Sequence, residues 1–105
     1  MKEMVDIFKA LGNKKRLEIL TWLSDPDAYF PPQGTHLGPE IDLRGGVCVG
    51  SITDKAGLSQ STTSHYLDIL ERAGLILSER HGKWTYYRLN KAKLNEVSAF
   101  IEHGF

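Results

Sequence analysis

The stretch that decides the fold is Ser51 to Ala73, SITDKAGLSQSTTSHYLDILERA. Gly57 divides it into a short helix, with Ile52 and Ala56 on its apolar side, and a longer one, while Leu58 pins the intervening turn into the core. Ser51 followed by Asp54 resembles a capping box and predicts the start of the first helix. Ser59 is a good N-cap for the second and Gly74 a good terminator, so both of its ends are marked. With residues about 100° apart around a helix axis, Gln60, Ser61, Ser64, His65, Asp68 and Arg72 fall within one arc of roughly 140°. Thr62, Thr63, Tyr66, Leu67, Ile69, Leu70 and Ala73 fill the rest. The polar side opens on short hydrogen-bonding residues instead of long solvating charges, as expected of a helix that lies in a DNA groove. Gln60 and Ser61 also occupy the helix N-terminus, where backbone N–H groups and the dipole favour a phosphate.

Downstream, Leu75 to Arg80 and Lys83 to Leu89 are rich in aliphatic and aromatic residues, and His81-Gly82 between them predicts a tight hairpin turn. Arg80, His81 and Lys83 cluster at its tip, where a wing meets a DNA backbone or minor groove. Asn90 then caps a last helix, with Leu94, Val97 and Ile101 at helical spacing and Phe100 and Phe105 at its edge. On a domain this small, such a helix either completes the monomer core or forms a dimer surface with the first helix.

Upstream, Met4, Ile7, Phe8 and Leu11 give a first helix that Gly12 would end in a left-handed cap. Asn13 caps a second helix whose apolar side carries Leu17, Leu20 and Leu23, widened by Ile19 and Trp22. Lys14, Lys15 and Arg16 in its first turn oppose the helix dipole, so they form either a solvated end or a phosphate contact. From Ser24 to Gly46 regularity is lost. All four prolines lie here with Gly34, Gly38, Gly45 and Gly46, and the simplest reading is a mobile inserted loop. Tyr29 and Phe30 argue against full disorder. Val47 to Val49 predicts a short strand before Ser51.

The pattern is mainly α with a small β-hairpin, an α+β chain of about five helices. The 105 residues fit one domain, 1–105, carrying the inserted loop at 24–46. Formal net charge is zero, yet Arg72 to Lys93 holds six basic residues against Glu79, and Asp25 to Asp54 holds five acidic residues against Arg44. Such a dipolar chain can turn a basic face to DNA while neutral overall. No apolar run is long enough to cross a bilayer, and the N-terminus lacks a signal-peptide pattern, so a cytoplasmic protein with no membrane partner is expected. No paired carboxylates, nucleophile-base set or phosphate-binding glycine loop suggests an enzyme.

The segments LGNKKRLEIL, GLSQSTTSHYLDILERAGLI and HGKWTYYRLN, in this order, resemble the ArsR/SmtB family of bacterial winged helix-turn-helix repressors. The resemblance covers nearly the whole chain outside Ser24 to Gly46. It implies a homodimer built through the first and last helices that blocks transcription at a double-stranded DNA operator until a signal releases it. It also implies groove contacts from Gln60, Ser61, Thr62, Ser64 and His65, with Arg80, His81 and Lys83 on the wing. The metal-sensing members carry a cysteine pair just before the helix-turn-helix, whereas Val47-Cys48-Val49-Gly50 keeps one cysteine and has Gly50 at the second position. A soft-metal site needs three or four donors, and the last helix offers only the adjacent Glu102 and His103 at its end. A metal cofactor is therefore not expected. Cys48 is either a small buried hydrophobe or a redox switch reacting with its mate or a small thiol. A winged helix can also serve as a protein-protein module, but its exposed face would then be acidic or apolar, unlike Gln60, Ser61, Ser64 and His65.

Overall fold

The computed structural model describes residues 1–105. In chain order the elements are α1 (Lys2–Leu11), α2 (Lys14–Leu23), α3 (Pro26–Tyr29), β1 (Val47–Cys48), α4 (Val49–Ala56), α5 (Gln60–Arg72), β2 (Ile76–His81), β3 (Trp84–Leu89) and α6 (Lys91–His103). The helix-turn-helix is α4 and α5, and the wing is β2 and β3. Six helices replace the expected five or so, and the sheet has three strands in the order β1-β3-β2, all antiparallel. The third strand pairs Val47 with Tyr87 and Cys48 with Tyr86, so it anchors the start of α4 to the base of the wing.

The core gathers Ile7 and Ala10 of α1, Ile19, Leu20 and Leu23 of α2, Ile52 of α4, and Leu67 and Leu70 of α5. Val47, Leu75 and Ile76 add the sheet's inner face, and Val97 brings in α6. Leu17, expected on the buried side of α2, is 48 % exposed; Ile19 takes its place beneath the bundle.

Four local expectations are corrected. Gly12 has φ −77°, outside the left-handed region, because α1 is closed from a distance: Arg16 donates from Nε to the Ala10 carbonyl at 2.7 Å and from Nη2 to that of Lys9 at 3.2 Å. Arg16 is thus neither a solvated end nor a free phosphate ligand, although Asn13 does cap α2 by accepting from the Arg16 N–H at 3.0 Å. Helix α4 begins at Val49 rather than Ser51, with Cys48 at the N-cap, so Ser51 lies inside the helix. Its cap comes from the insertion: Gln33 Oε1 accepts from the Cys48 N–H at 2.9 Å, and Gln33 Nε2 donates to Ser51 Oγ at 3.2 Å. A partner 15 residues away leaves no signature in local spacing. The hairpin turn is Gly82-Lys83, because His81 pairs with Trp84; Gly82 takes φ +64°, the conformation that glycine adopts without steric cost.

The insertion is folded against the sheet. Pro26 starts α3, and Phe30, 8 % exposed, packs edge-on against Trp22 with ring centroids 6.5 Å apart. Lys55 of α4 holds its ammonium 5.3 Å from the Trp22 ring centre and 5.4 Å from that of Tyr29, a cation–π contact to each. Further on, the segment crosses the outer face of the wing, where directly paired residues Glu79 and Tyr86, and His81 and Trp84, share one side. A Cβ built on Gly46 would lie 3.0 Å from the Tyr86 Cβ, and the His36 ring packs at a tilt of 52° against Trp84 with ring centroids 4.2 Å apart. Tyr86 is left 2 % exposed. The base of the wing sheet is therefore packed on both faces, by the helices against Ile76 and by the insertion against Tyr86.

Candidate nucleic-acid interface

Helix α5 is held by its first turn. Ser59 Oγ accepts from the Thr62 N–H at 3.1 Å and donates to Thr62 Oγ1 at 2.9 Å. Thr63, fully buried, donates its hydroxyl to the Ser59 carbonyl at 3.0 Å. With Thr63, Leu67 and Leu70 locked in the core, Gln60, Ser61, Ser64 and His65 are all exposed on the opposite side. Thr62 is half-buried, and its hydroxyl is already engaged by Ser59.

Between this helix and the wing runs a groove of about 500 Å³. Gln60 and Ser64 line it from α5, Lys83, Trp84, Thr85 and Tyr87 from β3 and its turn, and Cys48, Val49 and Gly50 from the start of α4. Strand β1 pairs only with Tyr86 and Tyr87, so Trp84 and Thr85 border the groove as an unpaired strand edge. Lys83 holds its ammonium 5.2 Å from the Trp84 ring centre. The groove thus brings together amide, hydroxyl and ammonium groups suited to base edges on one wall and phosphates on the other.

The remaining wing residues are placed differently. Arg80 is exposed and donates from Nε to the Gly82 carbonyl at 2.8 Å, which stiffens the turn and leaves the rest of its guanidinium in solvent. His81 lies on the outer face instead of at the tip, with Nε2 3.0 Å from Glu79 Oε2 and its ring 5.9 Å from that of Tyr86. The hydrogen bond to His81 holds the Glu79 carboxyl below its ordinary range. Burial, helped by the Glu71 and Asp68 carboxylates, raises the Tyr87 phenol, which therefore stays a neutral donor beside the groove. Sequence reasoning does not single out Trp84, Thr85 and Tyr87 as groove residues. Their signal, strand alternation placing an aromatic next to the turn, is indistinguishable from ordinary hairpin packing.

Cys48 is half-buried with Sγ 3.3 Å from Ser51 Oγ. No group of three or more His, Cys, Asp or Glu side chains is placed to hold a metal ion. Glu102 and His103 approach to 3.6 Å at the exposed end of α6, one carboxylate and one imidazole. No helix is long and apolar enough to cross a membrane.

A helix-turn-helix flanked by a two-stranded wing, with its second helix exposed along a polar face, defines a winged helix DNA-binding protein. The family model for "Bacterial regulatory protein, arsR family" matches residues 43–78. The chain is 47% identical over 100 residues to an uncharacterized HTH-type transcriptional regulator, YbzH, of Bacillus subtilis, covering 95% of this chain and 96% of that one. It is 36% identical over 88 residues to the arsenical resistance operon repressor of the same organism, covering 84% and 67%. The solution structure of the homodimeric winged helix-turn-helix domain Mb0332 from Mycobacterium bovis superposes with a TM-score of 0.66 at 25% identity, covering 96% of this chain and 76% of that one. The protein belongs to the ArsR family and is a DNA-binding transcriptional regulator.

Proposed function

We propose that residues 1–105 act as one DNA-binding domain of a cytoplasmic, non-enzymatic repressor that works as a homodimer. Gln60, Ser61, Thr62, Ser64 and His65 read the major groove, and Arg80 and Lys83 hold the flanking backbone. The groove in which Gln60 and Ser64 face Lys83 is the observation that carries this reading. His81 is left out of the contact set because it sits on the wing's outer face and does not line the groove. Dimerisation is supported by the apolar surface of α1 and α6, where Val5, Phe8 and Ile101 are 44 %, 40 % and 52 % exposed. The signal that releases DNA is proposed to be something other than a metal, since Cys48 has Ser51 beside it and no second thiol exists in the chain.

Titration of a labelled promoter duplex by fluorescence anisotropy tests the assignment. Gln60→Ala and Ser64→Ala should each weaken specific binding by about 1–3 kcal/mol where the side chain pairs well with a base edge. Lys83→Ala should weaken all sequences alike and lower the salt slope by about one. Unchanged affinity in all three variants rejects the groove assignment.

A second reading, redox control, is favoured by one observation: Cys48 borders the same groove as Gln60, Ser64 and Lys83. A hydroperoxide would convert the thiol to a sulfenic acid with release of water or alcohol, placing a larger polar group against the path of the DNA. Peroxide should then weaken DNA binding by the wild type and leave Cys48→Ser unaffected. Equal responses of the two proteins would dismiss it.

A further inference from the structure

We infer that the insertion between α2 and β1 belongs to the DNA-binding apparatus, with His36 as a positioning residue that fixes the wing relative to α5. The inference rests on the DNA-reading assignment above and adds to it the part that sets the spacing of the two groove walls.

The insertion touches both the start of α4 and the wing. At one end Gln33 bonds the Cys48 N–H and the Ser51 hydroxyl at the start of α4, the helix that packs against α5. At the other the His36 ring packs against that of Trp84, tilted by 52° with centroids 4.2 Å apart, two residues beyond the wing's turn glycine. At the end of the insertion Gly46 closes over Tyr86 so tightly that no side chain fits at position 46 without displacement. A two-stranded ribbon standing alone is marginally stable and free to bend, so its tip needs an outside contact to hold one position. Strand β1 does not reach the tip, because its pairing ends at Tyr86. His36 is the side chain that extends the support to Trp84, the residue that also carries Lys83 over its ring. Freeing Trp84 would let the tip sample positions in which Lys83 no longer faces Gln60 and Ser64, and the duplex would bind only the fraction still aligned.

The size of the effect follows from the ring contact. An aromatic pair in contact contributes on the order of a two- to twelvefold bias in such an equilibrium. The test compares wild type, His36→Ala, His36→Phe and Gln60→Ala by anisotropy on a labelled duplex drawn from DNA upstream of the protein's own coding region. His36→Ala should weaken binding by about two- to twelvefold, and His36→Phe, which keeps the ring contact but has no N–H, should restore it. In a Trp22→Phe background Trp84 is the sole tryptophan; its quenching by acrylamide should rise with His36→Ala and return with His36→Phe. His36 is exposed, so all variants should melt with the wild type. The inference is overturned if His36→Ala binds as wild type while Gln60→Ala is weakened, if His36→Phe fails to rescue, or if the drop in affinity only tracks a loss of fold. Wild-type affinity in Gln60→Ala as well would overturn the DNA-reading assignment together with it.

Discussion

Thr63 shows how narrowly a single side chain can be placed. It is the polar residue buried in the core, yet the Ser59 carbonyl that takes its hydroxyl also accepts from its backbone N–H at 3.0 Å. Removing the hydroxyl leaves no orphaned acceptor, so Thr63→Val should shift the urea midpoint by less than about 1 kcal/mol of stability. Thr63→Ala opens a void beneath α5 and should cost about 1–2 kcal/mol in the same measurement. Asn13 is the converse case. Its side chain alone serves the Arg16 N–H, so Asn13→Ala should destabilise by about 1 kcal/mol. Both Asn13 and Ser59 were legible as caps because the partner of a cap lies two or three residues away. Arg16 was not, because its acceptors belong to the preceding helix and depend on the angle at which α1 and α2 meet.

Among the elements, α4 and α5 were nearly complete in the sequence, and the turn between them rests on Gly57. It has φ +67°, and a Cβ there would meet nothing within 4 Å, so the whole cost of Gly57→Ala is backbone strain. About 1–2 kcal/mol is expected, read from thermal melts. The insertion was the illegible element. Its contacts, His36 to Trp84, Gln33 to Cys48 and Tyr29 to Lys55, join residues far apart in the chain, and no period of two or 3.6 encodes them. Between α1 and α6 one tie is electrostatic: Lys93 of α6 donates to Glu3 of α1 and also to Glu96 on its own helix. Hydrogen bonding to Lys93 lowers the Glu3 carboxyl from 4.5, and hydrogen bonding first to Glu3 and then to Glu96 raises the Lys93 ammonium from 10.5. For Glu3 the stability is present above its unfolded value and is lost as pH falls through the lowered folded one. For Lys93 it is present below the unfolded value and lost as pH rises through the raised one. Wild-type melting temperature should therefore fall at both extremes. Glu3→Gln should flatten the acid side between pH 4.5 and lower values, a small effect at so exposed a pair.

On the scale of the whole molecule, zero net charge conceals a local asymmetry: six basic residues against one acidic run from Arg72 through the wing to Lys93, and five acidic residues against one basic lie in the insertion and just after it. The apolar surface of α1 and α6 lies elsewhere. Phe8 and Phe100 approach to 6.3 Å and leave Ile101 half in solvent. If this surface joins two copies, Ile101→Glu should yield monomers by light scattering and a loss of cooperative DNA binding, while the monomer stays folded because Val97, not Ile101, enters the core. The Gln33 bridge has a kinetic consequence as well. The Cys48 amide heads a helix, where N–H groups normally exchange with solvent freely, yet its hydrogen is held by a side chain of the insertion. Its deuterium uptake should therefore be slow, and should quicken each time the insertion lifts away without the core unfolding. In Gln33→Ala that one amide should exchange rapidly while those of Leu67 and Leu70 keep their protection. A single resonance at Cys48 would then serve as a clock for how often the cover opens.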